Sequence, residues 1–228
     1  MKKSIKNLTK FEKSLWAVSV IFVTASFLLA GQREILTLIA SLIGVTALIF
    51  IAKGDVLGQI LTVVFSVLYS VISLKYRYYG EMITYMGMTT PIAVLSIITW
   101  IKHPYSEKQV EVNQLSKKTA VILAVLTALI TFIFYFILKY FGTSNLIIST
   151  ISIATSFSAS SLMMLRSPYY AIAYAFNDVV LIILWILASI EDISFLPMIV
   201  CFLMFFINDL YGFYSWIKME VSQRDTSE

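Results

Sequence analysis

Residues 118–141 read KTAVILAVLTALITFIFYFILKYF, and between Lys118 and Lys139 the run carries no charge. About 20 such residues is the length an α-helix needs to cross a hydrocarbon core of roughly 30 Å. The run is continuous and rich in Leu, Ile and Ala, without the polar/apolar alternation a membrane β-strand requires. Runs of the same kind recur near residues 14–30, 34–52, 55–75, 79–101, 145–165, 169–189 and 194–217. The composition agrees: 59% hydrophobic against 13% charged residues, with a mean hydropathy of +0.87, leaves too little polar surface to coat a soluble globule of this length. The expected fold is an all-α integral membrane protein with about eight transmembrane helices.

Charge placement orients the chain. Lys2, Lys3, Lys6, Lys10, Lys13, Lys53, Lys102, Lys108, Lys117, Lys118, Arg166, Lys218 and Arg224 fall on one side of the predicted spans, and only Arg33, Lys75, Arg77 and Lys139 on the other. By the positive-inside rule both termini are cytoplasmic and the protein is a multi-pass component of the cell inner membrane. The basic residues are split among loop ends, so they speak against nucleic acid as a partner. A basic start before an apolar run also resembles a signal sequence, but no small-x-small cleavage site follows, and the next span begins just after Gly31, Gln32 and Arg33. The single cysteine, Cys201, is expected as a small buried side chain. His103 borders a polar loop and is expected to be exposed, with no metal set around it. No phosphate-cradling Gly-rich loop or other cofactor motif is present. The loop 102–117 and the tail after 219 are polar enough to be solvated.

An internal repeat organises the spans. At an offset of 116 residues, Trp100-Ile101-Lys102 falls on Trp216-Ile217-Lys218 and Tyr69 on Trp185; the ends of the first spans, Lys53-Gly54 and Arg166-Ser167, correspond after a shift of three. After a cytoplasmic tail (1–13) and a peripheral membrane helix (14–30), this gives a first three-helix repeat (34–101), a linker span (118–141), a second three-helix repeat (145–217) and a tail (218–228). Three spans leave the chain on the opposite face, so one extra span returns it and makes the repeats parallel. Transporters built from parallel repeats bind substrate between the halves near the midplane.

The run Phe206-Ile207-Asn208-Asp209-Leu210-Tyr211-Gly212-Phe213-Tyr214-Ser215-Trp216, with Asn177-Asp178 ahead of Trp185, resembles the last two spans of the PnuC vitamin-precursor transporters. Lys75-Tyr76-Arg77-Tyr78-Tyr79-Gly80-Glu81, with Pro91 ahead of Trp100, extends the resemblance over about residues 34–218. It implies a 3+1+3 arrangement similar to the SWEET sugar carriers, a homo-oligomer (a trimer), and facilitated diffusion of nicotinamide riboside, trapped in the cell by phosphorylation. Relatives divide among nicotinamide riboside, thiamine, riboflavin and deoxynucleosides, each an aromatic ring with a polar appendage. The small-molecule partner is expected within that class.

The residues are compatible with it. Gln59, Thr62, Ser66, Tyr69 and Ser73 recur at three- and four-residue steps and share one helix face. In lipid such a stripe turns inward, as helix-to-helix glue or as cavity lining; the bulk of Gln59 and Tyr69 favours a cavity. Asp178 and Trp185 lie about 10 Å apart along one face of the matching helix. Trp185 suits a cationic pyridinium ring, the alternative being an interfacial belt position. Trp100 and Trp216, each before a Lys, are stronger belt candidates. Asn208 and Asp209 sit near the middle of the last span, where an ionisable group is a functional hypothesis by default; Asn208, whose face Tyr211 and Ser215 continue, is the preferred ligand contact. Ser149, Ser152, Ser156 and Ser160 form a small-residue face suited to close packing. Pro91 frees a carbonyl or is simply accommodated.

Three rival readings remain. Asp178 and Asp209 near one depth resemble an intramembrane aspartyl hydrolase, although no glycine-rich turn precedes either. A vitamin-binding module serving a separate ATP-driven engine is a second, and a proton-coupled symporter a third. The expectation is a transporter, not an enzyme.

Overall fold

The structure, a computed structural model, describes residues 8–30, 35–75, 79–106, 109–143 and 145–225. Lys2, Lys3, Lys6, Gly31, Gln32, Arg33, Tyr76, Arg77, Tyr78 and Lys108 lie outside them.

Eight helices long and apolar enough to cross a membrane occur among these residues. They are α1 (Lys10–Leu29), α2 (Ile35–Ala52), α3 (Val56–Lys75), a broken span made of α4 (Tyr79–Thr84), a π-helical turn (Tyr85–Thr89) and α5 (Thr90–Lys102), then α6 (Lys117–Tyr140), α7 (Leu146–Met164), α8 (Tyr169–Glu191) and α9 (Leu196–Asp225). Local chemistry sets their ends. Thr9 and Glu12 form a capping box, Thr9 Oγ1 accepting from Glu12 N at 3.2 Å and Glu12 Oε2 from Thr9 N at 2.6 Å, which starts α1 before residue 14. Ser116 caps α6 by accepting from Thr119 N at 3.1 Å. Asp192, between α8 and α9, accepts from Ser194 N at 2.9 Å, and that bond holds its carboxyl below the usual range. The π-helical turn stands directly ahead of Pro91, whose missing N–H prevents a regular ladder there.

Helix α3 packs on both α2 and α5, as α8 does on α7 and α9, and the two sets meet where α9 lies on α2 and α5 on α7. Gly58 fixes the closest approach of α2 and α3: a Cβ there would stand 2.5 Å from Ile51 N. Helix α1 lies against α2 and α9. Helix α6 packs chiefly on α7 and buries only Leu138.

Trp100 and Trp216 are not belt residues. They are 1% and 0% exposed, their rings 5.5 Å apart. Trp100 Nε1 donates to Met163 O at 3.1 Å and Trp216 Nε1 to Ile51 O at 2.8 Å. The preceding residues add bonds to the next carbonyls, Thr99 Oγ1 to Met164 O at 3.1 Å and Ser215 Oγ to Ala52 O at 2.7 Å. Ile51 O and Met163 O also accept turn bonds, from Gly54 N (2.8 Å) and Arg166 N (3.0 Å); each third helix adds its donors to these helix-end carbonyls and to Ala52 O and Met164 O across the boundary between the sets.

The loop 102–117 is not simply solvated. After a short antiparallel pair (β1, Pro104–Ser106; β2, Gln109–Val110), it runs under the helix ends as a strap. Val110 is 2% exposed and packs with Trp100, Trp216, Met163 and Tyr170. Val110 N donates to Gly54 O and Asn113 N to Arg166 O, each at 3.0 Å. Gly54 and Arg166 are the left-handed residues (φ +68° and +60°) that close α2 and α7. Glu111 pairs with Arg166 at 3.0 Å. The tail is corrected too: α9 continues to Asp225, and Gln223 holds the strap through Val112 N (2.7 Å) and Val110 O (3.1 Å). The polar residues read as solvent-facing satisfy helix-end and strap backbone instead. His103 is exposed, as expected.

Candidate functional site

Between the two sets lies a cavity of about 50 Å³, room for a few waters. Helices α2, α3 and the π-helical turn wall one side, α7, α8 and α9 the other. Its polar groups are Thr62, Thr89, Ser156, Tyr174, Asn177, Asp178 and Asp209, facing aromatic walls of Phe65, Tyr85, Phe202 and Phe205.

Asn177 is positioned from α7: the Thr155 and Ser156 hydroxyls each donate to its Oδ1 at 2.8 Å. That fixes the carboxamide and leaves its N–H groups for the cavity. Tyr174, one turn earlier, shares a 2.8 Å hydrogen bond with Ser160. The Ser149–Ser160 face thus packs closely, and two of its hydroxyls also orient cavity groups. Asp178 from α8 and Asp209 from α9 line the same cavity across the contact of those two helices. Asp178 Oδ2 is buried without a protein partner. A buried acceptor left to the cavity is a place where a hydrogen-bond donor of a solute is favoured.

Four of the ten residues singled out from sequence line this cavity: Thr62, Asn177, Asp178 and Asp209. Asn208 does not. It donates to Ser19 Oγ on α1 at 2.9 Å and to Met204 O at 2.7 Å, so its Nδ2 serves helix contacts, and Asp209, about 100° round the helix, takes the cavity side. Tyr211 also faces α1, donating to Glu12 Oε1 at 2.7 Å. Ser66 shares a 2.8 Å hydrogen bond with Thr90 and joins α3 to α5. Gln59 is fully buried one turn from Thr62, with neither amide atom hydrogen-bonded to protein.

Tyr69 and Trp185 belong to an aromatic layer behind the cavity wall. Tyr69 lies 4.4 Å from the Tyr85 ring and 6.1 Å from Phe202, and Trp185 meets it edge-on at 6.5 Å. Trp185 is 2% exposed and packs on Phe195, which rules out an interfacial belt position. The residues sequence reading missed, Tyr85, Thr89 and Phe205 among them, carried a weak signal: aromatics abound in every span, and a π-helical turn shifts the face a regular helix would predict.

Two helix sets enclosing a polar site at the heart of a multi-pass membrane fold are the build of a solute carrier. The family described as "Nicotinamide mononucleotide transporter" matches residues 34–218, and the chain belongs to that family. Over 217 residues the chain is 22% identical to "Nicotinamide riboside transporter PnuC" of Neisseria mucosa, covering 92% of this chain and 82% of that protein. It shares its fold with the structure titled "Crystal structure of the Vitamin B3 transporter PnuC" (TM-score 0.85, 20% identity, 97% of each chain covered). The family is one of transporters rather than enzymes, which removes the aspartyl-hydrolase reading.

Proposed function

We propose that this protein carries nicotinamide riboside across the inner membrane by facilitated diffusion, opening the central cavity alternately to each side, with phosphorylation in the cell trapping the product. The observation that carries this reading is the pairing of an oriented Asn177 amide and the Asp178–Asp209 carboxyls with facing rings of Phe65, Tyr85, Phe202 and Phe205. The carboxyls and amide suit ribose hydroxyls, an acidic site suits a cationic ring, and aromatic faces add about 0.5 to 2 kcal/mol for a cation over them.

The cavity is far smaller than a nucleoside, so loading requires the helix sets to part. Rocking of two parallel three-helix halves supplies that movement. The duplicated bonds of Thr99-Trp100 and Ser215-Trp216 favour this reading, as does α6, which returns the chain between the halves. With both termini cytoplasmic, the strap closes the inner face.

Purified protein in liposomes is expected to equilibrate labelled nicotinamide riboside without a pH gradient or ATP. Uptake that collapses when the pH gradient is removed, with the substrate gradient held fixed, establishes a symporter instead. A deoxynucleoside, thiamine or riboflavin is the second reading, favoured by the oriented Asn177 amide, which suits a base edge as well as a ribose; a thermal-stability panel of all four ligands separates them, and a shift for one of these with none for nicotinamide riboside overturns our choice.

A further inference from the structure

A second cavity, of about 280 Å³, lies where α1 begins and α9 ends, apart from the central one. Tyr211, Tyr214, Ser215, Lys218 and Ser222 form one wall, at the i, i+3, i+4, i+7 and i+11 spacing of a single helix face. Thr9, from the start of α1, and Lys53, from the α2–α3 turn, close the other side. Glu12 is the carboxylate among its described lining residues, and its oxygens are already engaged: Oε2 by Thr9 N at 2.6 Å, Oε1 by Tyr211 Oη at 2.7 Å and Lys53 Nζ at 3.3 Å. Lys218 is exposed and forms no ion pair among the described residues, so the lining keeps one uncompensated positive charge. Hydroxyls of Thr9 and Tyr214 stand in the same walls.

We propose that this cavity binds the phosphate of an anionic phosphate ester, with Lys218 as principal charge partner and Lys53, Thr9 and Tyr214 as further donors. Two ammonium groups on separate elements, with hydroxyl donors lining the same cavity, suit a tetrahedral anion with several acceptor oxygens. Lys218 lies two residues beyond Trp216, at the end of the expected last span, where basic pockets between helices take phospholipid headgroups. The same chemistry accepts a soluble phosphomonoester. The central cavity offers neither kind of ligand a cation, so this site is independent of the carrier reading.

Thermal stability of the purified full chain tests the proposal, with dioctanoyl-phosphatidylglycerol, dioctanoyl-phosphatidylcholine and glycerol 3-phosphate as probes. Phosphatidylglycerol or glycerol 3-phosphate at tenfold over Kd is expected to raise Tm by about 3–6 °C. The rise should persist in Lys102→Gln, an exposed lysine outside the cavity, and disappear in Lys218→Gln. Tyr214→Phe, which keeps the ring, should weaken Kd by roughly two- to tenfold. A shift with the lipid alone assigns the ligand to the bilayer; a full shift with glycerol 3-phosphate assigns it to soluble esters. Equal shifts with phosphatidylcholine and phosphatidylglycerol, a shift undiminished in Lys218→Gln, or no saturable shift with either anion overturns the site.

Discussion

Trp100 and Trp216 each close a helix of the set to which the other belongs. Their indoles lie 5.5 Å apart at 47°, and each donates across the boundary to the end of the facing set's first helix, Trp100 to Met163 O and Trp216 to Ile51 O. Helix packing within one set cannot produce such an exchange; it ties both sets together at one face.

Trp216→Phe keeps an aromatic side chain but removes the cross-set hydrogen bond, leaving Ile51 O only its 2.8 Å bond from Gly54 N, a loss of about 0.5–1.5 kcal/mol. Tm should fall by roughly 2–4 °C for each kcal/mol in a chain of this size. The Trp100→Phe and Trp216→Phe effects should not add, and strict additivity in a double-mutant cycle means that the two tethers act separately.

Asn177→Ala removes the amide that Thr155 and Ser156 orient, and Asp178→Asn replaces a carboxyl of the cavity by an amide. Each should raise the Kd for nicotinamide riboside by about tenfold to a hundredfold, with Asp178→Asn sparing a neutral deoxynucleoside. Calorimetry on folded variants decides; unchanged affinity in both places the substrate elsewhere.

Trp185→Ala tests the aromatic layer. Because Trp185 packs against Tyr69 and Phe195, truncation should cost about 3–5 kcal/mol of stability, whereas Trp185→Phe should cost far less. A stable Trp185→Ala whose only defect is ligand affinity shows instead that the indole contacts the substrate directly.

The spans were legible because lipid leaves a one-dimensional mark: an uncharged run the width of a bilayer needs no knowledge of its neighbours, and most helix boundaries fall within two residues of those read from sequence. The site was legible only in part. Intramembrane Asn and Asp announce themselves, but neighbouring positions such as Asn208 and Asp209 point to different partners, and only the location of Ser19 on α1 decides between them. The strap was missed for a related reason: Asn113 and Gln223 look like solvent-facing residues until the helix-end and backbone groups nearby are seen.

Gly58→Ala should prevent α2 and α3 from meeting, since the added methyl would stand 2.5 Å from Ile51 N and 3.0 Å from Ala47 O, backbone atoms with little freedom to give. Overpacking of this kind costs about 1–3 kcal/mol or more. Size-exclusion profiles should show aggregation or a marked loss of folded protein; a monodisperse variant with wild-type Tm refutes the tight contact.

Hydrogen exchange checks the strap. The Val110 and Asn113 amides, bonded to Gly54 O and Arg166 O, should exchange far more slowly than ordinary loop amides in the resting protein. Rapid exchange at both shows a strap that does not hold the face closed.

Helix α6 fully buries one side chain, Leu138, rests one face on α7 through Ile130, Phe134 and a 3.2 Å Thr127–Ser158 hydrogen bond, and leaves its other side exposed. Away from that face its contribution is an address: it returns the chain to the face on which the first three-helix repeat began. A saturating substitution scan should therefore find the exposed side of α6 nearly indifferent to spelling, with any greasy residue replacing any other, while α8, of similar length, resists the same exchanges at Tyr174, Asn177 and Asp178.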